Sequence, residues 1–280
     1  MELIFSLETF IFLFFVAITA GIVDTLAGVG GLIVLPALVL IGLPPLTALG
    51  TNKAQSFAGT GTASYMMLVY KKISVKQMKP LMLTAFVGSL IGTVLIQFID
   101  NKSLSIVIPV VLMIIVLYFI FSPRMNEVSS KARISDNLYK YTLAPIIGLY
   151  DGMFGPGTGS FFTVSGVALR GKSLIDATAN AKALNFATNV GSLFVFLYLG
   201  EVIFPIALVM IAGQFIGARI GSNFLININP TFLKYFGIIL SDKNFKSLII
   251  PEGFAHGFQT LSQNCEMLYF HTSDFRQDAE

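Results

Sequence analysis

Lys53 and Lys182 stand 129 positions apart, each near the start of a long apolar run. Asp24 and Asp151 stand 127 positions apart, and each precedes a glycine-rich break: Ala27-Gly-Val-Gly-Gly31 in the first case, Phe154-Gly-Pro-Gly-Thr-Gly159 in the second. A lysine at the bilayer centre costs about 2.5–3.5 kcal/mol on insertion scales, so a matched pair of them needs a physical reason. One reason is structural: a lysine close to a segment end can snorkel its ammonium to the interface. The other is chemical. Both lysines have polar neighbours, Thr51, Asn52, Gln55 and Ser56 around the first, Asn180, Asn185 and Asn189 around the second. Asn185 and Asn189 are four residues apart and share one helix face, as the lining of a cavity would. The aspartates have three readings, as counter-charges for the lysines, as proton carriers, or as caps for the helix starts that follow.

The glycines explain why these residues would meet. Backbone that leaves the helix at membrane depth is tolerated only where protein or a water-filled cavity satisfies its amides and carbonyls. Gly28, Gly30 and Gly31 form the first such break; Gly155, Pro156, Gly157 and Gly159 form the second. Two glycine-broken apolar segments at corresponding places in two halves are the sequence mark of a transporter's binding site. Half-helices starting at Gly31 and Gly159 would turn their positive ends and free amides toward the cavity. With two ammoniums added, that cavity suits an anion. The candidate substrate-binding set is therefore these seven hinge residues with Asp24, Asn52, Lys53, Asp151, Lys182, Asn185 and Asn189.

Elements able to hold such a site follow from composition. The chain is 55% hydrophobic and 12% charged, with a mean hydropathy of +0.79, the profile of a polytopic membrane protein. The first apolar run carries Glu2 and Glu8 and no basic leader, so it reads as a retained helix. Cys265, His256 and His271 all lie in the last 40 residues. That excludes disulfides, His/Cys metal sites and Cys or Ser-His nucleophiles from the body, and no cofactor is implied. Apolar segments are expected near 9–23, 28–43, 47–70, 78–99, 104–121, 141–154, 157–169, 175–199, 203–226 and 231–240. The second, sixth and seventh are short for a span of about 20 residues and read as half-helices broken at the hinges.

The halves repeat. At an offset of 129, Lys53-Ala54 matches Lys182-Ala183, Phe57-Ala58 matches Phe186-Ala187, and Phe86, Gly88, Ile91 and Gly92 match Phe215, Gly217, Ile220 and Gly221. The GxxxG pairs allow close helix approach. Basic residues crowd the loop after the third segment (Lys71, Lys72, Lys76, Lys79), the long central loop (Arg124, Lys131, Arg133, Lys140) and the loop after the seventh (Arg170, Lys172). Ten alternating crossings put all three loops in the cytoplasm and only Lys102 outside, with the N-terminus outside. The fold class is thus an all-α polytopic membrane protein of two inverted repeats of about five helices. The expected boundaries are 1–121 for repeat one, 122–140 for a cytoplasmic loop and 141–240 for repeat two, whose last helix reads as truncated. A non-membrane tail follows at 241–280, on the cytoplasmic side.

These motifs bear a family resemblance. Gly28-Val-Gly-Gly31 with Leu35-Pro36, Gly42-Leu-Pro-Pro45, Gly50-Thr-Asn-Lys53 and Asp151-Gly-Met-Phe-Gly-Pro-Gly-Thr-Gly159 together resemble the sulfite exporter TauE/SafE family over about residues 5–238. The resemblance implies a cell-membrane carrier for sulfite, sulfonates or related sulfur-containing anions, and leaves the substrate, the coupling ion (a proton or another) and the oligomeric state open. The tail differs. Nine of its 40 residues are charged, against 24 of the preceding 240, and it reads as strands and turns. Leu248-Ile-Ile-Pro-Glu-Gly-Phe-Ala-His-Gly-Phe258 and Glu266-Met-Leu-Tyr269 resemble part of the dTDP-4-dehydrorhamnose 3,5-epimerases, which are cupin barrels. That resemblance implies acid/base and sugar-nucleotide roles for Tyr269 and His256, but two or three strands cannot close a barrel. The expected function is a secondary transporter for a small anion, acting in the bilayer with no nucleic-acid partner and no enzyme activity. The alternatives are an epimerase fragment and a nonfunctional chimera.

Overall fold

The computed structural model describes residues 5–121 and 131–227, all within one compact unit. Among the described residues the secondary structure is helical, with no strand. The helices are α1 (Leu7–Ala27), α2 (Gly31–Leu40), α3 (Pro45–Val69), α4 (Val75–Ile96), α5 (Asn101–Phe121), α6 (Asp136–Tyr141), α7 (Leu143–Met153), α8 (Thr158–Ala168), α9 (Leu174–Tyr198) and α10 (Phe204–Asn227). Nine of these correspond to segments read from the sequence. The tenth such segment, 231–240, and the whole tail lie outside the described residues.

Helices α1, α4, α5 and α10 are long and apolar enough to cross a membrane. Their outward faces carry large apolar side chains such as Phe15, Leu83, Met113 and Phe224, each more than 60% exposed, as a hydrocarbon solvent requires. Helices α3 and α9, at 25 residues each, are about 37 Å long but carry polar residues that turn inward. The second and seventh segments are short helices, as expected. Helix α2 has 10 residues and α8 has 11, hence about 15–17 Å of rise, roughly half of a 30 Å core. The sixth segment differs in detail. Residues 136–140, expected to belong to the central loop, and Tyr141, expected to open the sixth segment, form α6, capped by the Ser135 hydroxyl, which accepts from Leu138 N–H at 3.2 Å. A single kinked position, Thr142 at φ −119°, separates it from α7.

Glycines set the packing. Helix α4 runs alongside α7 in the same direction: a Cβ on Gly88 would collide with the Pro145 carbonyl and one on Gly92 with the Leu149 carbonyl. Helix α1 runs alongside α10 in the same way, where a Cβ on Gly217 would collide with the Ile18 carbonyl. Both GxxxG pairs therefore sit in backbone-to-backbone contacts. Helix α3 also packs on α10, and α4 on α9. Helices α3 and α9 pack on each other in opposite directions. The Thr47 hydroxyl near the start of α3 donates to Glu201 Oε2 at 2.6 Å, just beyond the end of α9, and Ile203 N–H donates to Thr51 Oγ1 at 3.2 Å. At mid-length Phe57 stacks on Phe186, with ring centroids 5.4 Å apart. These two residues are counterparts at the 129 offset.

Two apolar clusters mark the two ends. One joins Leu43, Leu46, Leu104 and Val202 around the short connections that carry Asp100 and Glu201 and the first turn of α5, which carries Lys102. There Ser103 donates both its N–H (2.7 Å) and its hydroxyl (3.2 Å) to Asp100, holding that carboxyl below the usual carboxylate range. The other cluster joins Ile73, Met78, Ile134 and Tyr139, from the connection bearing Lys71 and Lys72 and from the segment bearing Arg133 and Lys140. Arg133 and Ile134 N–H both donate to the Leu169 carbonyl, and Arg170 pairs with Asp136 at 2.9 Å. The described parts of all three basic connections thus gather at one end.

Candidate functional site

The two breaks meet. Helix α1 ends at a left-handed Gly28 (φ 74°) whose N–H donates to the Asp24 carbonyl at 2.7 Å. In the second half Gly155 (φ 94°) and Gly157 (φ 79°) are both left-handed, a conformation that costs a side chain about 1–2 kcal/mol. A Cβ on Gly28 would fall onto the backbone of Gly159 and Ser160, and one on Gly31 would lie 3.1 Å from Pro156 Cα. The Ser160 hydroxyl donates to the Ala27 carbonyl, and the Tyr150 hydroxyl donates to the Pro156 carbonyl at 2.6 Å. The carbonyls of Ala27 and Pro156 at the two breaks are therefore satisfied by neighbouring side chains, as membrane depth demands.

The ionisable residues cross between the halves. Lys53 Nζ lies 2.8 Å from Asp151 Oδ2, with both side chains only 1% and 2% exposed. Lys182 Nζ lies 3.6 Å from Asp24 Oδ2 and donates to the Asp24 backbone carbonyl. Each lysine thus faces the aspartate of the opposite half. Snorkelling is absent: both lysines are 1% exposed. The pairs are not alike. Asp24 Oδ1 also accepts from Gly30 N–H at 3.1 Å, so this aspartate both caps the break and pairs. Lys53 Nζ and Asp151 Oδ2 have no hydrogen-bond partner beyond their ionic contact.

A cleft opens beside the Lys53 pair. Asp24, Gly31, Asn52, Lys53, Asp151, Gly155, Gly157, Asn185 and Asn189 line it, together with Ser56 and Thr60. With its mouth included it encloses about 280 Å³, but its centre has room for only one or two waters. Nine of the fourteen residues singled out from sequence therefore converge on one space. The other five do not line it. Gly28, Gly30, Pro156 and Gly159 shape the crossing of the two breaks, and Lys182 turns away to Asp24. Two lining residues were not singled out. Ser56 and Thr60 continue the face of Asn52 at intervals of four, and this spacing, with Thr60 the counterpart of Asn189 at an offset of 129, was the available signal. The Asn189 amide reaches Thr60 Oγ1 at 3.4 Å and Asn185 Oδ1 at 3.3 Å. On α3 the Gln55 amide donates to Asn52 Oδ1 and Ser56 Oγ, both at 2.8 Å.

Buried amides, hydroxyls, one ammonium and the carboxylates of Asp24 and Asp151 thus surround a narrow space between helix starts. The sequence matches the family described as Sulfite exporter TauE/SafE over residues 13–241. The chain belongs to the TauE/SafE family. Relatives in this family include a probable membrane transporter protein of Sinorhizobium, 40% identical over 82% of this chain and 88% of the relative. A probable membrane transporter protein of Haemophilus influenzae is 36% identical over 87% of this chain and 96% of its own length. The TauE/SafE protein described here is accordingly a multi-pass membrane transporter. Its C-terminal part matches a second family, dTDP-4-dehydrorhamnose 3,5-epimerase, over residues 225–280, overlapping the first match. The epimerase of Salmonella typhimurium is 38% identical over 24% of this chain, which spans 40% of that enzyme. No solved structure matches the chain.

Proposed function

We propose that this TauE/SafE protein is a secondary transporter for a small anion, sulfite, a sulfonate or a related sulfur-containing or organic anion. It works by alternating access of two inverted halves in the cell membrane. The observation that carries the reading is the position of Lys53 in the cleft. The buried Lys53 ammonium, paired with Asp151, shares the cleft with Asn52, Asn185 and Asn189, with the starts of both half-helices, Gly31 and Gly157, in the same wall. Ammonium, amides and helix starts all favour an anion's oxygens. The inverted arrangement draws support from the pairing of counterparts: α1 with α10 answers α7 with α4, α3 with α10 answers α9 with α4, and α3 and α9 run antiparallel. The gathering of basic residues at one end supports a cytoplasmic position for that end, with the N-terminus outside and the tail inside.

The test is flux in proteoliposomes. Purified full-length chain is given sulfite, methanesulfonate and lactate, and counterflow is read as label accumulating against an unlabelled internal pool. Counterflow of at least one anion is expected, because a carrier and not a channel does this. Lys53→Ala is expected to lower it by about tenfold or more, the worth of one charge-assisted hydrogen bond. No counterflow with any of the three would speak for the nonfunctional-chimera reading. The tail has only part of an epimerase's length, and we assign it no epimerase turnover. Conversion of a dTDP-keto sugar by the purified chain would reverse that assignment.

A further inference from the structure

We infer that Asp151 is the proton site of this transporter, loaded when the anion takes Lys53 away from it. The inference rests on the anion reading above and adds the coupling ion to it. Its basis is the difference between the two crossed pairs. Asp24 is tied down by Gly30 N–H at 3.1 Å, and its partner Lys182 is held by the Asp24 backbone carbonyl. Nothing comparable holds the other pair. Lys53 Nζ and Asp151 Oδ2 have only each other, at 2.8 Å, and both line the cleft. An anion entering the cleft therefore meets one ammonium whose carboxylate can be exchanged for it.

The exchange fixes the proton's route. The Lys53 N–H donors turn to the anion's oxygens, leaving Asp151 as a buried carboxylate without a cation. Such a charge is not tolerated unpaired in a low-dielectric interior. It takes one proton from water in the cleft and becomes a neutral acid. When the anion leaves, the proton returns to water and the Lys53–Asp151 contact re-forms. One proton therefore travels with each singly charged anion, and the loaded site carries no added charge. The other carboxylate lining the cleft, Asp24, is held by Gly30 N–H and Lys182. Helix α4, packed along α7, presents Ser89 and Thr93 there, with Thr93 donating to the Gly152 carbonyl at 3.0 Å. Helix α8 contains no ionisable residue. Helix α9 offers Lys182, which is engaged with Asp24. Tyr150, the neighbour on α7, spends its hydroxyl on Pro156. The charged groups of α6 lie at the opposite end of α7 from Asp151.

The experiment uses the full chain in proteoliposomes with methanesulfonate, which stays an anion throughout the working pH range. Pyranine inside the vesicles reads proton movement. Inward methanesulfonate flux is expected to acidify the lumen, and a gradient of one pH unit is expected to raise steady-state accumulation about tenfold, the limit for one-to-one coupling. Asp136→Asn, whose carboxylate pairs with Arg170 away from the cleft, is expected to keep the tenfold response, and Asp151→Asn to lose it at whatever rate it still exchanges. If Asp151→Asn does not fold, wild-type flux without acidification still overturns the inference. Counterflow without acidification, accumulation driven by sodium instead, or a tenfold response surviving in Asp151→Asn would overturn the inference and leave the anion reading standing. Absence of counterflow with methanesulfonate, sulfite and lactate alike would remove the anion reading and this one with it.

Discussion

Lys53 and Asp151 sit 98 positions apart in the chain, on α3 and α7, yet their charged atoms are 2.8 Å apart in a buried setting. A buried pair of this kind contributes little net stability against an apolar substitute, because its desolvation cost offsets its attraction. Breaking it from one side is another matter, since the surviving charge is stranded.

Lys53→Ala and Asp151→Ala are each expected to cost about 3–5 kcal/mol of stability. Lys53→Met combined with Asp151→Leu is expected to recover most of that loss and none of the transport. Thermal unfolding in detergent checks the first pair of statements, and vesicle flux checks the last. A double variant as unstable as the singles would show that the pair organises the fold.

Asn189→Ala and Thr60→Val remove groups that face the cleft and touch each other at 3.4 Å. Each is expected to cost about 1 kcal/mol of stability. Both should reduce anion flux several-fold more than Thr84→Val, whose hydroxyl bonds only to its own helix. Equal flux in all three variants would remove these residues from the site.

The glycines separate into two kinds. Gly92→Leu would drive a side chain into the Leu149 carbonyl on α7 and is expected to abolish stable folding or repack α4. Gly42 is left-handed (φ 88°) with open space around it. Gly42→Ala is therefore expected to cost only about 1–2 kcal/mol, the backbone term alone. Yield of monodisperse protein and its melting temperature distinguish the two.

Sidedness is accessible because the chain contains a single cysteine, Cys265. In a Cys265→Ser background, Lys76→Cys and Lys131→Cys are expected to react with an impermeant maleimide from the cytoplasmic side, and Lys102→Cys from the opposite side. Labelling of Lys76→Cys and Lys102→Cys from the same side would defeat the orientation, and labelling of Lys76→Cys and Glu201→Cys from the same side would defeat the inverted arrangement.

Much of this molecule could be read from the chain alone, because the bilayer imposes local rules. Apolar runs of helical length, glycine breaks flanked by hydrocarbon-compatible residues and the clustering of basic loops are each properties of a short window. They placed nine of the ten described helices, both breaks and nine lining residues of the cleft. Helix α6 escaped because Asp136-Asn-Leu-Tyr-Lys-Tyr141, short and mostly polar or aromatic, resembles a loop, and its stability comes from Tyr139, buried in one cluster with Met78 and Leu81. The partner of each lysine escaped as well. Sequence spacing puts Asp24 nearest to Lys53 and Asp151 nearest to Lys182, yet the contacts run the other way. That choice belongs to the tertiary structure. Backbone contacts at Gly88, Gly92, Gly148 and Gly152 press α7 onto α4, and those at Gly21 and Gly217 press α1 onto α10. With these helices held there, each aspartate faces the lysine of the other half. Charges in a low-dielectric interior pair with whatever the packing brings within a few ångströms, and separation along the chain has no part in it.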